Sequence, residues 1–128
     1  MILDSSAVVA ILLREPGYES LFDKLSAVSD VGIGVPTLTE TTIVLSARLK
    51  GDARGLLSRF LTEASVVTVP FGDVHWGTAV DAWLKYGKGR HAANLNFGDC
   101  LAYATAKVSG EPLLCVGEDF VQTDIELA

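Results

Sequence analysis

The sequence predicts an α/β fold with three layers, in which helices cover both faces of a central parallel sheet. Segments with the apolar spacing of helices alternate along the chain with short apolar runs. These runs are continuously apolar, as is typical of strands buried on both faces, instead of alternating between apolar and polar residues. Since strands that alternate with helices build parallel sheets, the two observations together favour an α/β/α arrangement.

Turn-forming residues and hydrophobic periodicity set the bounds of the predicted elements. The first helix ends before Glu15-Pro16-Gly17, the third ends at Gly51-Asp52, and Gly110 caps the last one. The predicted strands are 1–3, 31–35, 66–70 and 112–116. The predicted helices are 5–14, 18–28, 37–50, 56–61, 74–86 and 97–109. A helix therefore follows each of the first three strands.

Length and composition indicate one soluble domain over residues 1–128. The chain of 128 residues lies near the usual size of a domain, and no repeat, linker or low-complexity segment interrupts it. Its longest apolar run covers only residues 7–13, too short for a membrane span. Asp4 stands where a signal peptide would carry positive charge, so we expect a cytoplasmic protein. The net charge of −6 argues against indiscriminate adhesion to nucleic acid.

Four acidic residues follow the ends of predicted strands. Asp4 comes directly after the first strand, and Glu40 lies in the first turn of the helix after the second strand. Asp99 lies in the first turn of the helix that Asn96 opens, and Asp119 follows the last strand. Because ligands of open α/β sheets bind outside the carboxyl ends of the strands, we expect these acids to converge at one edge of the sheet.

Helix capping is the alternative explanation for three of these acids. Thr37-x-x-Glu40 and Asn96-x-x-Asp99 have the spacing of a capping box, and Asp4 is placed to cap the first helix. Several carboxylates in one pocket, however, repel one another unless a cation is bound. Mg²⁺ or Mn²⁺ suits such an oxygen set, whereas zinc prefers His and Cys, which do not cluster in this sequence. A divalent ion held by carboxylates is suited to phosphodiester hydrolysis.

Polar and basic residues near the acids are further candidates. Ser6 and Asn96 can support the carboxylates or the phosphate, or can serve the starts of their helices alone. The glycine-flanked loop "YGKGRH" carries Lys88 and Arg90, which suit contact with a phosphate backbone, although short basic runs are often only solvated loops. Tyr86, the first residue of this loop, could stack on a base.

These residues together resemble the PIN-domain nucleases, specifically the VapC-type ribonuclease toxins of toxin–antitoxin pairs. The resemblance covers essentially the whole chain and is most specific in "ILDSSAVVAILLREPG", "YGKGRHAANLNFGDCLAYATAK" and "EPLLCVGEDFVQTDI". It implies a three-layer PIN-like fold, Mg²⁺-dependent endoribonuclease activity on RNA, and a cognate antitoxin that blocks the site. It also implies a homodimer and a hetero-oligomer with the antitoxin.

Carried over to this sequence, the resemblance implies that Asp4, Asp99 and Glu40 bind one or two Mg²⁺ ions, with Mn²⁺ as a substitute. An activated water then attacks the RNA phosphate in line, without a covalent intermediate. Trp76 and Trp83, with the apolar faces of the middle helices, offer surface for a second copy or for an apolar helix of an antitoxin.

The identity of the fourth acid stays open between three residues. In many PIN domains the last acid lies three residues before a phenylalanine, and this chain has Gly117 at that place. The candidates are Glu118, Asp119 and Asp124. We favour Asp119 because in the toxins most similar to this chain the pattern G-x-D-F keeps the acid directly before the aromatic residue.

Two alternatives belong to other functional classes. A Mg²⁺-dependent phosphatase would use an Asp-x-Asp pair, but the second residue after Asp4 is Ser6. A non-catalytic PIN-like module would bind RNA or protein without cutting, and the complete set of acids argues against it. Cys100 and Cys115 are too far apart for a C-x-x-C motif, so we expect both to be small core residues.

Overall fold

The computed structural model describes residues 1–128 and has a sheet of four parallel strands at its centre. The strands are β1 (Ile2–Leu3), β2 (Val31–Gly34), β3 (Val66–Val69) and β4 (Leu113–Leu114). Their order across the sheet is β3-β2-β1-β4, and each neighbouring pair is parallel. The carboxyl ends of all four strands therefore lie at the same edge of the sheet.

Six helices connect the strands and cover both faces of the sheet. They are α1 (Ser5–Leu12), α2 (Tyr18–Ser26), α3 (Val35–Leu49), α4 (Arg54–Glu63), α5 (Asp73–Tyr86) and α6 (Phe97–Ser109). All the predicted strands and helices are present, with shifts of one or two residues at several of their ends. None of the helices combines the length and the apolar character that a membrane span requires.

Two apolar clusters, one on each face of the sheet, hold the three layers together. Ile2 and Leu3 are neighbours in β1 yet belong to different clusters, because successive side chains of a strand point to opposite faces. Leu113 and Leu114 of β4 divide in the same way. The cluster around Leu3 includes residues of the first four helices, and the cluster around Ile2 includes residues of α5 and α6. The predicted three-layer α/β/α fold is confirmed.

The start of α3 differs from the prediction. The helix begins at Val35 with Pro36 in its first turn, where the missing backbone N–H of proline costs no hydrogen bond. The prediction had taken Pro36 as the boundary between strand and helix. Glu40 therefore lies in the second turn, and the cap residue is Gly34, with no capping hydrogen bond from a side chain. The predicted capping box of Thr37 and Glu40 is thus wrong.

Candidate active site

Asp4 occupies the carboxyl end of β1, which has a neighbouring strand on each side. The residue is 4% exposed. Its Oδ2 accepts hydrogen bonds from the backbone N of Ser6 at 3.1 Å and from the Ser6 hydroxyl at 2.6 Å. The same hydroxyl oxygen accepts a bond from the backbone N of Val116 at 2.9 Å. Ser6 therefore connects the buried acid to the segment that follows β4 and leads to Asp119.

Asp99 and Asn96 form the predicted capping box at the start of α6. The backbone N of Asp99 donates to Oδ1 of Asn96 at 2.9 Å, and the backbone N of Asn96 donates to Oδ2 of Asp99 at 3.0 Å. Asp4 also caps its helix, again through Oδ2. The hydrogen bonds that these two carboxylates accept end on Oδ2, so the Oδ1 atoms of both acids take no part in them. Capping and ligand binding are therefore compatible at both residues.

Glu40 reaches the site from α3, across the backbone of Gly98 in α6. A Cβ atom added to Gly98 would collide with Oε2 of Glu40 and would lie 3.0 Å from its Cδ. The Glu40 carboxylate thus fills the space that any other residue at position 98 would need, one residue away from Asp99. Sequence reasoning missed Gly98. The sequence signal at this position was a glycine inside a predicted helix. Glycine is about 1 kcal/mol less favourable there than alanine, so its presence indicates that a larger side chain would not fit.

The negative charges of the other three predicted acids act on Asp99, and the charge of Asp119 also acts on Asp4. Burial raises the pKa of Asp99 to about 6, and the charges of Asp4, Asp119 and Glu40 contribute to this rise. Burial also raises the pKa of Asp4; the charge of Asp119 adds to the rise, while the hydrogen bonds from Ser6 oppose it. Asp119 itself is exposed. None of the four acids forms an ion pair with a lysine or arginine.

A hard divalent cation fits this set of donors. Carboxylates that repel one another and have no basic partner are stabilised in their charged form by a bound cation. No three of them converge closely enough to chelate one ion directly. This spacing suits Mg²⁺, which commonly takes only one or two protein carboxylates and keeps several of its waters. The two histidines do not belong to the set, since His75 and His91 bond to backbone groups near their own positions.

Of the candidates for the fourth acid, Asp124 is engaged elsewhere. Its Oδ1 accepts a hydrogen bond from the Tyr103 hydroxyl at 2.6 Å, and its Oδ2 lies 2.9 Å from Nζ of Lys107. These bonds, the one from Tyr103 first, lower the pKa of Asp124 to about 2. A hydrogen bond to a charged group contributes about 1.5–3 kcal/mol. A surface ion pair such as that with Lys107 contributes only about 0–1 kcal/mol. Tyr103 is therefore the main partner.

Asp119 is the candidate whose charge acts on the other acids. Its charge raises the pKa of both Asp4 and Asp99, whereas neither Glu118 nor Asp124 has such an effect. Glu118 is exposed, like Asp119, but its charge has no resolved effect on the buried acids. Of the three residues that the sequence left open, Asp119 is therefore the one whose charge contributes to the raised pKa values of both Asp4 and Asp99.

The basic loop after α5 lies on the surface. Lys88 is exposed, and the guanidinium of Arg90 lies 4.9 Å from the centroid of the Trp83 ring. Neither residue forms an ion pair with an acid. Tyr86, in contrast, is only 5% exposed and packs against Tyr103. The prediction that Tyr86 stacks on a base is therefore wrong, because its ring belongs to the core.

Comparison with known proteins identifies the class to which this fold and this set of acids belong. The PIN domain family matches residues 1–126. The chain belongs to the PIN domain family, as the resemblance in sequence predicted.

Among individual proteins, the chain is similar to ribonuclease VapC36 of Mycobacterium tuberculosis, with 43% identity over 127 residues that cover 98% of this chain and 91% of the relative. Its fold is similar to that of VapC20 of the same species, a toxin that cleaves the sarcin–ricin loop. The TM-score is 0.78 at 15% identity, with 99% of this chain and 97% of the other covered. A chain of a toxin–antitoxin complex from Klebsiella pneumoniae gives a TM-score of 0.73 at 16% identity, with 99% and 95% covered.

Proposed function

We propose that this protein is a VapC-type endoribonuclease toxin that hydrolyses phosphodiester bonds of RNA with the help of Mg²⁺, or of Mn²⁺ in its place. The observation that carries the proposal is the set of carboxylates at the carboxyl edge of the sheet, two of them with raised pKa values and none with a basic partner. The 43% identity to a protein named as a ribonuclease supports RNA as the substrate.

In this proposal two of the acids are the principal ligands of the cation, and the other two contribute further negative charge. Asp4 and Asp99 are the principal ligands, and they bind through the oxygens that their capping bonds leave unused. Glu40 contributes from α3, and Asp119 contributes from the segment after β4. When bound, Mg²⁺ neutralises charge on the phosphate and activates the attacking water. Since the attack is direct, the protein needs no nucleophilic side chain of its own.

Ser6, Asn96 and the basic loop have supporting roles in this proposal. Ser6 and Asn96 fix the orientation of the Asp4 and Asp99 carboxylates through the hydrogen bonds described above. Lys88 and Arg90 contact phosphates of the RNA away from the cleaved bond, which adds affinity without reading sequence. Cellular RNA is the substrate, so we propose the cytoplasm as the place of action.

A cognate antitoxin is the proposed inhibitor, and a second copy of the chain is the proposed partner in a homodimer. An apolar groove of about 420 Å³ lies between α5 and the start of α6 and includes Trp83. Trp76 and Phe97, which also line it, are 70% and 79% exposed. Large apolar patches of this kind commonly mark protein–protein contacts. The likeness to a chain from a toxin–antitoxin complex supports the same assembly, with the antitoxin as a further subunit.

The test is cleavage of total cellular RNA by protein free of antitoxin, with and without Mg²⁺ or Mn²⁺, followed by mapping of every new 5′ end. We expect discrete cuts that require the metal and that identify the target. An Asp99→Asn variant of unchanged circular dichroism is the control, and it should lose the cuts. A folded wild-type protein that neither cuts RNA nor binds the metal in calorimetry would instead be a non-catalytic PIN-like binding module.

A further inference from the structure

One face of α6 carries three functional side chains in a row. Asp99, Tyr103 and Lys107 are spaced four residues apart, so they lie along the same stripe of the helix. The first of them is a proposed metal ligand. The other two both bind Asp124, a residue of the chain segment that follows β4. The segment after β4 therefore lies against the same helix that carries the principal acid of the site.

Asp124 holds this segment through three contacts, which we call the Asp124 clamp. The Tyr103 hydroxyl donates to its Oδ1 at 2.6 Å, and Nζ of Lys107 lies 2.9 Å from its Oδ2. The backbone N of Asp124 donates to the hydroxyl of Tyr86 at 3.2 Å. The side chains of Tyr86 and Tyr103 are buried, so the clamp rests on fixed parts of the core.

Asp119 lies on an irregular part of the segment. No helix or strand is present after Leu114, and the side chain of Asp119 makes no hydrogen bond or ion pair. Upstream, the segment is attached through the bond from the backbone N of Val116 to Ser6 at 2.9 Å. Downstream, it is attached by the buried ring of Phe120 and then by the Asp124 clamp. The position of Asp119 therefore depends on these attachments.

Electrostatic repulsion makes such attachments necessary. The charge of Asp119 contributes to the raised pKa values of Asp4 and Asp99, so the three carboxylates lie within electrostatic reach of one another. Repulsion between like charges would move an exposed carboxylate on a free segment away from the site. Asp124 resists this movement without adding to the repulsion, because its own charge is compensated by Tyr103 and Lys107.

We propose that Asp124 is a positioning residue, which clamps the segment after β4 to α6 and thereby keeps Asp119 within reach of the cation at Asp4 and Asp99. The inference rests on the proposed function, since it takes Asp119 as one of the acids of a metal-dependent nuclease. It assigns Asp124 a role in the reaction that is exerted through Asp119, with no contact to RNA or metal.

A double-mutant cycle tests this role. We expect Asp124→Asn to lower the rate of RNA cleavage about tenfold, the lower end of the loss typical when the support of a metal ligand is removed. The dissociation constant for Mg²⁺, measured by calorimetry without RNA, should rise by a similar factor. In a protein that already carries Asp119→Asn, the same change should have almost no further effect. Glu118→Gln is the matched control, an exposed acid beside Asp119 that should leave both quantities unchanged.

Three outcomes would overturn the inference. An equal loss from Asp124→Asn in both backgrounds would mean that the residue acts on the whole fold and not through Asp119. An Asp119→Asn variant that cleaves like the wild type, beside an inactive Asp99→Asn variant, would leave the proposed function intact but refute the positioning role. Absence of metal-dependent cleavage by the wild type would refute the proposed function itself, and this inference with it.

A milder variant keeps the test decisive if Asp124→Asn folds poorly. Tyr103→Phe removes the 2.6 Å hydrogen bond while the ring stays in the core. In the protein that keeps Asp119, we expect this variant to raise the dissociation constant for Mg²⁺, as Asp124→Asn does. In a protein that carries Asp119→Asn, it should have no such effect. A dissociation constant for Mg²⁺ that Tyr103→Phe leaves unchanged, with or without Asp119, would contradict the positioning role.

Discussion

The two ends of α6 place aspartates in opposite surroundings. At the start of the helix, Asp99 is half-buried beside other acids, and its pKa is raised to about 6. Farther along the helix, Asp124 meets a phenol and an ammonium group, and its pKa is lowered to about 2. Tyr103 and Lys107 supply these partners from the same face that carries Asp99.

This difference separates the carboxylate that we propose binds a cation from one that stabilises the fold. An aspartate whose charge is compensated inside the protein has no need of a cation, and it stabilises the structure through its partners. An aspartate whose charge is opposed by burial and by its neighbours costs stability, and a bound cation removes that cost. The partners of each acid, more than its position in the sequence, therefore indicate its role.

The largest expected effect is the gain in stability when a divalent cation binds at Asp99, the acid without a compensating partner. Mg²⁺ or Mn²⁺ at about 100 times its dissociation constant should raise the free energy of unfolding by about 2.7 kcal/mol. Thermal unfolding with and without the ion measures the gain. Asp99→Asn should remove most of it, whereas Asp124→Asn, which we expect to bind the ion about tenfold more weakly, should keep about half of it. An equal gain in both variants would mean that the ion binds elsewhere.

A substitution at Gly98 tests the position of Glu40. The added methyl of Gly98→Ala collides with the Glu40 carboxylate, whose flexible side chain then has to move. We expect RNA cleavage to fall about tenfold, as for other groups that orient metal ligands. The unfolding temperature should not fall, since alanine favours the helix. Gly77→Ala in α5 is the matched control, because a Cβ there meets nothing within 4 Å, and an equal loss in it would refute the explanation.

Removal of the uncompensated charge should stabilise the metal-free protein. At pH 8, above the raised pKa of Asp99, the carboxylate is ionised and repelled. Asp99→Asn should therefore raise the unfolding temperature by a few degrees in the presence of a chelator. Because the pKa of the folded state lies above the ordinary value of 3.8, the difference should shrink as the pH falls through 6 and vanish below about pH 4. A variant less stable than the wild type at pH 8 would contradict the comparison.

The smallest expected effect is the change in stability at Asp124, whose charge is compensated by Tyr103 and Lys107. The lowered pKa of Asp124 means that its contribution to stability is present above about pH 4 and is lost as the pH falls through 2. Asp124→Asn should therefore lower the unfolding temperature slightly at pH 7, with a difference that shrinks in acid. Asp23→Asn, at an exposed residue without an ion pair, is the control. A difference that persists unchanged down to pH 2 would show that the carboxylate charge does not carry the effect.

Much of the fold followed from local patterns in the sequence. Short apolar runs predicted the strands, and helical spacing with clear stop signals predicted the helices. The main error was at Pro36, which is tolerated in the first turn of α3, although it was taken as a boundary. The placement of Asp4 and Asp99 at strand and helix ends was also predictable, because both lie beside local capping signals.

The rest of the candidate site depended on contacts between distant parts of the chain. The support that Gly98 gives to Glu40 joins α6 to α3, and the bond from Val116 to Ser6 spans 110 residues. No local pattern reports such distances. The burial of Tyr86 was missed for the same reason, since it depends on the packing of Tyr103 and of the segment after β4.

By itself the sequence determined the alternation of strands and helices, and with it a parallel sheet whose strand ends carry acids at one edge. These properties depend on periodicity and on short-range capping, which neighbouring residues encode. Only the tertiary structure decided which acids lack a compensating partner and that Asp124 has one. Burial and the distance to a compensating charge determine the pKa of a carboxylate. Both quantities are set when α6, α3 and the segment after β4 pack together.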